Sequence, residues 1–186
     1  MIQKRNPTNP TNPLNPGSNT IIRPVVNKLM EPITIIVETP KGSGHKYDYE
    51  PKLKAFKLNK VLPAGMVFPF DFGFIPDTKG GDGDPLDVVV ISEIATFSGC
   101  CIDCRIIGAI KVNQTERDGS TMRNDRFLAV PTVSQLFSEV NTMLQLPEAI
   151  INQLESFFKN YNEQAGKKFE VIERVEAEEA YRMIKD

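Results

Sequence analysis

The segment Leu86-Asp-Val-Val-Val-Ile91 constrains the fold more than any other stretch. It is a short, nearly continuous apolar run bounded by glycine and proline turn signals, which fits a strand covered on both faces. A chain that contains it must supply layers on both sides of a sheet. Asp87 lies inside the run, and a carboxylate entering a buried strand needs a partner. Just upstream, Gly80-Gly-Asp-Gly-Asp-Pro-Leu-Asp87 sets three carboxylates within six residues. Their mutual repulsion is costly unless cations or donors compensate it. Glycines allow the sharp turns by which such carboxylates converge, and hard cations such as Mg²⁺ take oxygen ligands. An acidic turn in solvent is the plainer reading of the same composition, and Asp87 argues against it. A calcium loop starting at Asp82 fails, because its required glycine would be Asp87.

Other β-rich segments surround this run. Ile33–Val37, His45–Tyr49, Ala55–Leu58, Val67–Ile75, Ile106–Val112 and Arg126–Val130 read as strands or extended pieces. The period then changes. After Pro147, the residues Ile150, Ile151, Leu154, Phe157, Phe158 and Tyr161 fall on one face of a helix. Val175, Ala180, Tyr181 and Ile184 predict a C-terminal helix, and Pro131 to Asn141 a third, shorter one. Strands followed by helices indicate an α+β fold, with a curled sheet or small barrel and helices packed outside.

The chain has 186 residues, the length of one domain. Residues 23–186 are expected to form it. Asn-Pro pairs recur through residues 1–22, and proline fixes φ and lacks an amide donor, so this part is expected to be a flexible tail. With 22 Lys and Arg against 24 Asp and Glu, no dominant basic surface for nucleic acid is present. No run approaches the length of a membrane span, no apolar signal segment is visible, and a cytoplasmic location is the default expectation. His45 is the one histidine, which removes most zinc sites. Cys100, Cys101 and Cys104 form an odd cluster, a poor disulfide framework. Cys101-Ile-Asp-Cys104 leads into a strand and reads as ordinary small side chains near a strand start. No phosphate-binding G-x-x-x-x-G-K-[ST] loop occurs. An acidic cluster with dispersed cations such as Lys46, Lys60 and Arg126 suits phosphoryl chemistry.

The stretch Asp82-Gly-Asp84-Pro-Leu-Asp87-Val88 resembles the D-G-D-P-x-D-V signature of the family I soluble inorganic pyrophosphatases. Ile35-Ile-Val-Glu38-Thr-Pro40, Lys46-Tyr-Asp48, Phe68 to Ile75, Gly108 to Lys111, Leu128 to Pro131 and Phe157-Phe-Lys-Asn-Tyr161 are similar to further landmarks, so that the resemblance covers residues 30–184. It implies a small closed β-barrel of OB-like, Greek-key type with flanking α-helices, and Mg²⁺-dependent hydrolysis of inorganic diphosphate. It also implies a homo-oligomer, a hexamer, with no nucleic-acid or membrane partner. By position, Asp82 and Asp87 would be metal ligands, Asp84 the general base acting on metal-activated water, and Glu38 and Asp48 holders of a substrate-associated metal. Lys46, Lys60, Arg126 and Tyr161 would contact phosphate.

The departures from the family pattern bear on activity. Asp48 stands for Glu, Lys60 for Arg, Phe68 and Phe72 for Tyr, Arg126 for Lys, and Asn162 for Lys. Asn124 falls where a metal-binding Asp is expected, with Asp125 beside it facing the other way on a regular strand. A further family Asp falls at Gln114, or at Asp118 if the insertion is placed earlier. Two alternatives to efficient diphosphate hydrolysis follow. One is a pyrophosphatase-fold protein that binds metal and phosphate without efficient turnover. The other is hydrolysis of a larger phosphoanhydride.

Overall fold

The computed structural model describes residues 30–185. The Asn-Pro tail expected over residues 1–22 lies outside the described residues. The strands are β1 (Ile33–Thr39), β2 (His45–Glu50), β3 (Ala55–Val61), β4 (Asp71–Phe74), β5 (Asp87–Val90), β6 (Cys101–Thr115), β7 (Thr121–Arg123), β8 (Arg126–Pro131) and β9 (Lys168–Glu176). The helices are α1 (Glu148–Gln164) and α2 (Ala177–Lys185). None of the described helices is long and apolar enough to cross a membrane.

The α+β class holds, but the expected small closed barrel is corrected. The main sheet is mixed and seven-stranded, in the order β1-β4-β5-β8-β6-β7, with β9 added on β6 and a further β1–β6 pairing. β5 and β8 run parallel, while β2 and β3 form a separate two-stranded ribbon. The β1–β6 pairing brings the two ends of the run β1-β4-β5-β8-β6 together, and the departure from a small barrel lies in β6, which continues beyond that run to carry β7 and β9. Its 15 residues far exceed an ordinary strand, so it serves β1, β8, β7 and β9 along its course and the sheet branches there.

Burial follows the alternation of side chains in strands. Val89, Ile91, Leu128 and Val130 enter a cluster with Ile151, Leu154 and Phe158 of α1. Val88, Val90, Phe127 and Ala129 enter a second cluster with Ala180 of α2. The Leu86–Ile91 run is thus covered on both faces.

Three further expectations change. The extended stretch Val67–Ile75 keeps only Asp71–Phe74 as strand. Val175 belongs to β9, opposite Ala109, not to a helix. No helix forms over Pro131–Asn141, where a 3₁₀ turn follows at Met143–Gln145. The backbone groups of that loop are satisfied from elsewhere. Glu93 Oε1 accepts from Ser134 Oγ and the amides of Gln135 and Leu136 at 2.7–2.8 Å. Arg105 donates to the carbonyls of Phe137, Ser138 and Val140.

The Glu93 carboxyl is drawn down to about 2, first by the Leu136 amide and then by the Ser134 hydroxyl. A group depressed in the folded state stabilises the fold above its ordinary value and loses that contribution as pH falls through the folded value. Glu93→Gln is therefore expected to lower the melting temperature most above pH 4.5, with the difference closing toward pH 2. A difference that stays constant across this range would contradict the assignment.

Candidate functional site

The acidic loop, the β2–β3 ribbon, the end of α1 and the β6–β8 region enclose a cavity of about 610 Å³. The loop delivers Asp82 and Asp84, and the first residue of β5 delivers Asp87. Its turns are closed by Gly80 N–H donating to the Asp84 carbonyl at 2.6 Å and by the Asp84 amide donating to Asp82 Oδ1 at 3.2 Å. Gly81 lets the loop lie against β7, since a Cβ there would stand 2.7 Å from the Arg123 carbonyl oxygen.

Glu38 lies near the end of β1, on the face opposite Ile35 and Val37, and Lys46 reaches it from β2. Lys46 Nζ lies 2.9 Å from Glu38 Oε2 and 2.5 Å from Asp48 Oδ1. The Tyr49 amide also donates to Glu38 Oε1, at 2.8 Å, and Asn59 donates to Asp48. Burial works against the charge on Lys46, but Glu38 and Asp48 outweigh it and raise its pKa above the ordinary lysine value.

Arg126 opens β8 and is buried. Its Nη1 lies 2.6 Å from Asp87 Oδ2, and its guanidinium sits over the Phe158 and Phe72 rings, at 5.3 and 5.9 Å. Its Nε is buried without a hydrogen-bond partner. Burial pushes the Asp87 carboxyl up to about 6, against the pull of Arg126. Phe72 also lies 5.0 Å beneath Lys46 Nζ, so the residue that replaces a family Tyr forms an aromatic floor for two cations. Phe68 packs edge-on to Tyr161, and Lys60 Nζ stands 4.8 Å over the Tyr161 ring.

Asp82, Asp84, Asp87, Glu38, Asp48, Lys46, Lys60, Arg126, Tyr161 and Asn124 all border this cavity, as does Gln114. Asp118 does not. It sits in the β6–β7 turn, where it accepts from the Ser120 amide and hydroxyl at 2.9 and 2.6 Å. Asp125 is turned away, accepting from the Val112 amide and Arg123.

The wall built by β6 and β8 is a hydrogen-bonded chain. Arg126 Nη1 donates to Asn124 Oδ1, Asn124 Nδ2 to Gln114 Oε1 at 3.5 Å, and Gln114 Nε2 to Glu116 Oε1 at 2.7 Å. Lys167 Nζ closes it, 2.8 Å from each Glu116 oxygen. The hydrogen bond from Lys167 holds the Glu116 carboxyl below the usual range. Sequence reasoning missed Glu116, Lys167 and Asn59. Glu116 and Lys167 lie 51 residues apart, and no local pattern signals their meeting.

The donor chemistry fits a hard divalent cation in part. Mg²⁺ is commonly held by one or two carboxylates together with substrate phosphates, and Asp82 and Asp87 can supply such a pair. Among the described residues no three His, Cys, Asp or Glu side chains group to ligate one ion. The same cavity is lined by neutral amides at Gln114 and Asn124, and Arg126 Nη1 joins Asn124 to Asp87.

Known proteins resemble this chain along most of its length. The profile "Pyrophosphatase: Inorganic pyrophosphatase" matches residues 35–186. The inorganic pyrophosphatase of Halalkalibacterium halodurans is 38% identical over 152 residues, covering 82% of this chain and 90% of that protein. That of Saccharolobus solfataricus is 38% identical over 138 residues, covering 73% and 77%. The crystal structure of the inorganic pyrophosphatase from Thermus thermophilus superposes with a TM-score of 0.76 at 30% identity, covering 88% of this chain and 92% of that one. The chain belongs to the inorganic pyrophosphatase family.

Proposed function

We propose that this chain binds diphosphate with a divalent cation in the cavity and hydrolyses it only slowly. The observation that carries this reading is the amide wall. Gln114 and Asn124 occupy the positions where the resemblance calls for acids, and both are committed to the chain from Arg126 to Glu116. Neutral amides supply oxygen ligands without the negative charge that strengthens cation binding. A bound divalent cation supplies charge neutralisation and activation of water.

The chain's own residues do the rest. Lys46, Lys60 and Arg126 present positive charge to phosphate oxygens. Tyr161 also lines the cavity and carries a hydroxyl able to donate to phosphate. Asp82 and Asp87 hold the cation. Asp84 is exposed and enters none of the ion pairs that occupy Glu38, Asp48 and Asp87. It is therefore available to accept a proton, as the general base of the residual reaction.

Calorimetry with diphosphate and Mg²⁺, run beside an assay of phosphate release, tests the proposal. Binding is expected, with release slower than about 1 s⁻¹, the low end of ordinary turnover. Asp84→Asn is expected to keep binding and lose the remaining release. Fast release would overturn the slow-turnover reading. Absence of binding would overturn the ligand.

A further inference from the structure

Asn162 stands where the family pattern has a lysine, and its side chain does not replace that cation. It is buried, and its Nδ2 donates to the Phe158 carbonyl of its own helix at 2.8 Å. A different ammonium lines the same cavity. Lys167 comes after α1 and the Ala165-Gly166 turn, and that turn is firmly built. The amides of Ala165 and Lys167 donate to the Asn162 carbonyl, and that of Gly166 to the Glu163 carbonyl, each at 2.9 Å. Gly166 has φ +71°, a left-handed conformation that glycine adopts without strain. Arg117 Nε donates to the Ala165 carbonyl at 2.7 Å and ties this turn to the β6–β7 hairpin.

We propose that Lys167 is an anion-binding residue of the cavity and makes the phosphate contact that Asn162 cannot, with Glu116 as its positioning residue. The proposal rests on the reading that diphosphate is the ligand.

An ammonium has three donors, and both contacts of Lys167 in the described structure go to Glu116. A donor remains for a phosphate oxygen. Glu116 is fixed in turn by Gln114 Nε2, Gln114 by Asn124 Nδ2, and Asn124 by Arg126. The wall that binds cations poorly therefore holds a lysine at one end and an arginine at the other. Both face the cavity from well-anchored backbone, and long flexible side chains lose less freedom on binding when already restrained.

The test is calorimetric affinity for diphosphate at saturating Mg²⁺, with circular dichroism to verify folding. Lys167→Met is expected to weaken binding by about tenfold to a hundredfold, the range for one charge-assisted hydrogen bond. Lys167→Arg is expected to stay near wild type. Lys167→Met/Asn162→Lys is expected to recover most of the deficit, because the charge returns to the same cavity. Unchanged affinity in Lys167→Met, with the wild type binding, would overturn the role of Lys167 and leave the proposed function standing. If the wild type itself fails to bind, the proposed function falls and takes this inference with it.

Discussion

Diphosphate hydrolysis by the Gln114→Asp/Asn124→Asp variant is expected to exceed that of the wild-type chain by roughly 10²-fold or more, given that even indirect support of a metal site is typically worth 10–100-fold. Both positions border the cavity that the acidic loop lines. Each substitution converts a neutral oxygen ligand into a charged one, and at position 124 the acceptor for Arg126 is preserved. The new charges also carry a cost. The carboxylate that replaces the Gln114 amide has no donor to give Glu116, and it would stand near that second carboxylate. The double variant is expected to melt lower than wild type in chelator and to regain stability as Mg²⁺ is added, since a ligand that binds only the folded state stabilises it by mass action. The wild type is expected to respond less. Phosphate release and melting temperature against Mg²⁺ concentration read the two effects separately. An unchanged rate together with an unchanged Mg²⁺ response would show that the amides are not what limits this site.

Local patterns carried the parts of the fold that local physics decides. The apolar run at Leu86–Ile91 announces burial on both faces, and the two clusters flanking β5 show it. The stripe of Ile151, Leu154 and Phe158 announces the buried face of α1. Other parts depend on partners far away in the chain. The Pro131–Asn141 segment has helical spacing, but Glu93 and Arg105 satisfy its backbone from outside and remove the need for a helix. Phe169, Val171 and Val175 alternate in a strand-like way over β9, and it is pairing with the far end of β6 that makes them a strand. The same limit applies to the site. The acidic loop is local and legible, and the resemblance supplied Lys46 and Arg126. The link from Lys167 to Glu116 is a tertiary contact that only the turn after α1 creates.

Gly73→Ala is expected to be the most damaging small substitution in the sheet. A Cβ at this position would stand 2.1 Å from the Ile36 carbonyl oxygen and 2.9 Å from Val37 Cα, all backbone atoms of β1. No side-chain rotation relieves such a contact, so β1 and β4 must part where Val37 faces Gly73. Overpacking of well-fitted sites costs about 1–3 kcal/mol even where side chains can adjust, and a clash with backbone belongs at or above the top of that range. For a domain of this size, about 3 kcal/mol corresponds to a melting temperature roughly 6–12 °C lower. Gly65→Ala is the control. It has φ +85° but nothing within 4 Å of the added carbon, so only its backbone strain is felt. The two variants separate close approach from conformational preference. The consequence for the site follows from position, because Glu38 is the next residue after Val37 and pairs with Lys46. Diphosphate binding in Gly73→Ala is therefore expected to weaken even at temperatures where the variant remains folded. Equal stability of the two variants would show that β1 and β4 tolerate separation here and that the close approach does not hold Glu38 in place.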